Sequence, residues 1–227
     1  MKIFSPDSKL MIFLTVLCDL MLIGILTLIC CIPVITIGAA LTAKDRMCYR
    51  VLKGEGSGVA KDFFISFKNN FRQATLIWIF QAVVLLFFVL DIYLLKNSGG
   101  EAAENAAYVL WGLLFFTYIL TIMVYPVLAR FENPLLTNLK NAVVMSMAFF
   151  PKALLMGILY LIPPVLAVVF PGLIPLFILF GLSGPGYLSA MMYRKTFEKL
   201  ESAYLETLNR NSHFDEAETK TLGQFDE

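Results

Sequence analysis

Long apolar runs, each broken by at most a few polar residues, alternate with short polar intervals along this chain. Leu10 to Ile35 is almost wholly apolar and is interrupted by Asp19; Ala74 to Leu95, Ala106 to Ala129, Ala153 to Phe170 and Leu173 to Met192 follow. A helix needs about 20 such residues to cross the hydrocarbon of a bilayer. The pattern therefore predicts an all-α integral membrane protein, a bundle of about five transmembrane helices over roughly 10–35, 74–95, 106–129, 153–170 and 173–192. The first run exceeds the roughly 7–15-residue core of a signal peptide and has no small-residue cleavage site, so it is expected to be retained. Pro163-Pro164 should bend the fourth span strongly, and Pro175 and Pro185 should loosen the fifth.

The one long polar interval runs from Thr36 to Thr75. It carries Lys44, Arg46, Arg50, Lys53, Lys61, Lys68 and Arg72 against Asp45, Glu55 and Asp62, a local charge of +4. Leu41 to Lys53 can form a helix with Leu41, Cys48, Val51 and Leu52 to one side. Gly54, Gly56, Ser57 and Gly58 break it. Val59 to Gln73 resumes helically, with Phe63, Phe64, Phe67 and Phe71 on one stripe and Lys61, Lys68, Asn69 and Arg72 elsewhere, a pattern that suits a helix half-sunk among headgroups. Residues 39–73 thus read as an amphipathic cytoplasmic loop. The plainer alternative is a segment that merely packs under the bundle.

Charge distribution then sets an expected orientation. With the 36–75 interval inside, the 130–141 connection and the start of the tail also fall inside, and this face carries twelve basic residues against three opposite. The positive-inside rule favours the N-terminus outside and the C-terminus in the cytoplasm. Residues 1–205 form one transmembrane domain; 206–227 are acidic and read as a disordered cytoplasmic tail. A four-span arrangement, with 142–192 as a re-entrant pair, is the competing topology.

Composition agrees with the pattern: 59% of residues are hydrophobic, 15% are charged, and the mean hydropathy is +0.76. A soluble domain is poorer in apolar residues than this. The four cysteines, Cys18, Cys30, Cys31 and Cys48, show no C-x-x-C spacing and have no nearby histidine, so they read as reduced packing residues. Nothing suggests nucleic-acid binding or a cofactor.

Catalytic signals are weak. Gly181-Leu182-Ser183-Gly184 resembles the G-x-S-G setting of rhomboid-like intramembrane proteases, but such a serine needs a histidine base, and the only histidine is His213 in the tail. Small residues for close helix contact explain the segment better. Asp19 and Asp91 lack the G-x-G-D of aspartyl intramembrane enzymes, and no H-E-x-x-H or P-loop occurs. The chain does not read as an enzyme. Asp19, Gln81 and Asp91 remain as intramembrane polar candidates.

The segments Pro33-Val34-Ile35-Thr36-Ile37-Gly38-Ala39, Gly54-Glu55 and Asp62 to Thr75, with Asn138-Leu139-Lys140-Asn141-Ala142, Pro151-Lys152 and Phe180-Gly181-Leu182-Ser183, resemble the YesL-type family of small bacterial polytopic membrane proteins. The resemblance covers roughly residues 10–205. It implies an uncharacterised protein of the bacterial cytoplasmic membrane, often encoded beside carbohydrate ABC importers, and it supplies no catalytic residues. On that basis the chain is expected to be an accessory or assembly subunit whose partners are the lipid bilayer and a carbohydrate ABC permease. The contacts would be made through Phe63, Phe64, Phe67, Lys68, Asn70, Phe71 and Arg72. The alternative is a stand-alone carrier or channel with Asp19 and Gln81 in its path. A third class, a sensor signalling through the acidic tail, rests on that tail alone.

Overall fold

The computed structural model describes residues 9–55, 58–98, 100–131, 133–199 and 202. Among them every regular element is helical. In chain order these are α1 (Lys9–Cys31), α2 (Ile37–Leu52), α3 (Val59–Ser98), α4 (Glu101–Thr121), α5 (Val124–Arg130), α6 (Leu135–Ala148), α7 (Phe150–Val169), α8 (Ile174–Phe180) and α9 (Ser183–Lys199). Four stretches are long and apolar enough to cross a membrane: Lys9–Cys31, Val59–Asn97, Glu101–Arg130 and Phe150–Val169. A fifth is available if Pro171–Phe180 and Ser183–Lys199, bent by 53°, count as one span. This is the make-up of a multi-pass membrane protein. The tail assigned to 206–227 lies outside the described residues.

The spans begin and end close to where the apolar runs do, with instructive differences. α1 stops at Cys31 because Pro33 follows and Thr36 turns the chain, its hydroxyl donating to the carbonyls of Cys30 and Pro33. α3 joins the amphipathic stretch to the second span in one helix of 40 residues. At 1.5 Å per residue that is about 60 Å, twice the roughly 30 Å hydrocarbon thickness. α7 runs unbroken through Pro163 and Pro164. The two prolines have no N–H to give to the carbonyls of Leu159 and Tyr160, one turn earlier, but they do not end the helix. The break that does occur is between α8 and α9, where Pro185 stands in the first turn of α9, a position that needs no N–H donor.

The centre of the bundle is α2. The sequence pattern gives it one apolar side; in the structure it is buried almost all round, from Gly38 to Val51. It is rich in small residues, Gly38, Ala39, Ala40, Thr42 and Ala43, which let neighbouring backbones come close. A β-carbon on Gly38 would stand 2.3 Å from the carbonyl oxygen of Ala74, and one on Gly24 of α1 would stand 2.2 Å from that of Leu179. Leu20 and Ile23 of α1, Ala43, Met47, Cys48 and Val51 of α2, and Val59 and Phe63 of α3 form one buried cluster. Among lipid tails such a cluster gains little from leaving its surroundings, so close van der Waals fit is what holds it.

The chain divides into two compact units, Met1–Ala190 and Met191–Glu227. Within the second, the rings of Tyr193 and Phe197 lie 4.7 Å apart and Arg194 pairs with Glu198 at 2.9 Å.

Candidate functional site

Lys44 and Asp45 are the buried charges of the core, 1% and 3% exposed. The Lys44 Nζ lies 3.1 Å from Asp45 Oδ1 and donates to the hydroxyl of Tyr160, on α7, at 2.9 Å. That hydroxyl in turn donates to Asp45 Oδ1 at 3.2 Å, and the ammonium sits 4.4 Å from the Tyr160 ring centroid. The three groups close a triangle, which offsets much of the cost of taking two charges out of solvent. Burial pushes the Asp45 carboxyl up from its ordinary value, and the Lys44 charge pulls it back. Cys48, one turn on, faces the carbonyl of Ser183, and burial pushes its thiol up to about 12. Gly186 of α9 packs directly on this group: a β-carbon there would meet Cys48 Sγ at 3.1 Å and Lys44 Cε at 3.3 Å.

The triangle forms part of the wall of a cavity of about 620 Å³. Its other walls are mainly Leu, Ile, Val and Phe side chains of α3, α4 and α6, with Gln81 and Tyr118 among them and Tyr125 added from α5. The Tyr125 hydroxyl donates to Gln81 Oε1, and that of Tyr118 to the carbonyl of Gly157 at 3.1 Å.

The predicted site residues separate in the structure. Phe63 is fully buried in the core cluster, whereas Phe64 and Phe71 are exposed and Phe67 packs partly against that cluster. Lys68 and Arg72 are exposed; Asn70 is half-buried and donates to the Ser66 carbonyl at 3.0 Å. Asp19 and Asp91 are half-buried on α1 and α3. Gln81 lines the cavity, and Asp19 is not among the residues that do.

Two further polar groups tie elements together. Arg50 bonds Asp62 and lies 3.7 Å from Glu55, closing the α2–α3 turn around Gly54 and Gly58, both at positive φ. Asn138 donates to the carbonyls of Asn133 (3.0 Å) and Phe131 (3.3 Å), and Gln73 of α3 also donates to Asn133 (3.3 Å).

Sequence reasoning treated Lys44 and Asp45 as loop charges and did not single out Tyr160. The available signal was the run of small residues just before the two charges, which marks a helix built for close packing. Tyr160 is 115 positions from Asp45, and no local pattern links them.

Residues 10–92 match a family described as "Protein of unknown function, DUF624". The matched stretch spans α1, α2 and most of α3, and so includes Lys44, Asp45 and the Arg50–Asp62 clasp but not Tyr160. No curated protein and no solved structure matches the chain.

Proposed function

We propose that this chain is a membrane-embedded accessory or assembly subunit that acts by docking to another membrane protein. The observation that carries the reading is the first third of α3. Phe63 and Ser66 are buried, while Phe64, Ile65, Lys68, Asn69, Phe71 and Arg72 stand exposed on the same helix. Aromatic area beside fixed positive charge suits a protein surface with acidic residues at its rim. The YesL-type resemblance supplies the class of partner, the permease of a carbohydrate ABC importer in the bacterial cytoplasmic membrane. In this reading the 53–58 turn and the basic face of α3 look into the cell. Lys44 contributes nothing to that orientation because its charge is matched inside the bundle.

The test is affinity purification of the tagged full chain from its native host in mild detergent, with the captured proteins identified. Recovery of a sugar permease that is lost in Lys68→Glu/Arg72→Glu supports the reading. Recovery unchanged by that variant, or no permease at all, contradicts it. A second reading, a stand-alone carrier, is favoured by one observation: Gln81 lines a cavity. Solute flux by the pure protein in liposomes, lost in Gln81→Leu, would support it in place of the first.

A further inference from the structure

We propose that the cavity beside Lys44, Asp45 and Tyr160 is a binding site for an uncharged, hydroxyl-headed single-chain lipid, of the monoacylglycerol kind, that enters from the bilayer. Its volume, about 620 Å³, falls within the range of sites that enclose a small amphiphile. Four lining residues, Leu76, Phe80, Leu85 and Leu136, are 53%, 64%, 49% and 75% exposed, and the cavity they line is open rather than closed. The apolar wall is therefore continuous with the surface that meets hydrocarbon, and a lipid chain reaches it without crossing water.

The head is identified by which polar groups remain unused. Most polar side chains of the lining already bond to protein. Thr117 and Thr121 donate back along α4, Tyr118 donates to Gly157, Trp78 to Val34, and Tyr125 to Gln81. The Gln81 amide N–H2, Asp45 Oδ2 and the third proton of Lys44 have no partner among the described residues. Together they offer two kinds of donor and a strong acceptor. Formal charge in the cavity sums to zero, so a carboxylate or phosphate head would bring an uncompensated charge into a mainly apolar site. A hydroxyl head both donates and accepts and brings none. This site is independent of the docking face on α3, and failure of either leaves the other standing.

The experiment titrates the purified full chain in detergent micelles with 1-monooleoylglycerol, oleic acid and 1-oleoyl-lysophosphatidic acid, read by native mass spectrometry. The expected result is one saturable monooleoylglycerol adduct, half-filled at a concentration about tenfold below that of either anion. Ala82→Trp, which adds bulk to the cavity wall and leaves every polar residue of the lining unchanged, abolishes the adduct, and Gln81→Leu weakens it by about fivefold. Asp45→Asn leaves a net positive site and shifts preference to oleic acid. Thermal melting identifies which variants are folded, and where Ala82→Trp or Asp45→Asn is not, Gln81→Leu alone decides. The proposal is overturned if the anions bind wild type as well as monooleoylglycerol does, or if adducts are unsaturable and equal in wild type and the folded variants.

Discussion

Adjacent residues on a helix point about 100° apart and do not normally face each other. Lys44 and Asp45 nevertheless meet directly, Nζ to Oδ1 at 3.1 Å, and the Tyr160 hydroxyl bonds to both. Removing one charge strands the other, so Lys44→Met and Asp45→Leu should each cost about 3–5 kcal/mol, while the double variant should come back close to wild type. Unfolding in mixed micelles measures all three. Cys48 gives a pH prediction. Its thiol is raised to about 12 in the fold, so the unfolded chain releases this proton first. The group's contribution to stability is intact below the unfolded thiol value and falls, by about 1.4 kcal/mol per pH unit, as pH rises toward the folded one. Cys48→Ala should flatten the alkaline limb of the stability curve between pH ~9 and pH ~11, as chemical denaturation across that range would show. None of these roles is visible in a one-dimensional reading, because a charge in a polar-looking interval carries no mark of what packs around it.

At the scale of the element, the apolar runs coincide with long apolar helices, since length and hydropathy alone set both. What escaped was not the helix α2, expected over 41–53 and found over Ile37–Leu52, but its burial all round, which depends on three neighbouring helices. Its tolerance is set by backbone contact. Gly38→Val would drive a side chain into the Ala74 carbonyl, 2.3 Å from where its β-carbon must lie, and should destabilise by about 1–3 kcal/mol, seen as a lower melting temperature. The resemblance motifs also acquire reasons at this scale. Glu55 and Asp62 hold Arg50 at the α2–α3 turn, and Asn138 pins the start of α6 to the connection before it, close to Gln73. Asn138→Ala, which removes the bonds to the Asn133 and Phe131 carbonyls, should cost about 1 kcal/mol by the same melting assay. The prolines of α7 carry the opposite lesson: a helix can lose two backbone bonds and continue.

Within residues 9–190, the helices pack around a neutral polar group and present apolar side chains outward over most of their length. α3 is the ruler. Its apolar half, 74–95, matches one hydrocarbon thickness, and its basic half must then stand at or beyond one face. With the buried Lys44 left out, eleven basic residues remain on the proposed cytoplasmic face against three opposite, so the proposed orientation does not rest on it. Labelling with a membrane-impermeant maleimide tests this most directly. Lys53→Cys and Asn97→Cys would be placed singly in a chain whose four native cysteines are replaced by alanine. The account predicts that position 97 labels in intact cells and position 53 only after permeabilisation. Labelling of position 53 in intact cells, or of both positions alike, would contradict it.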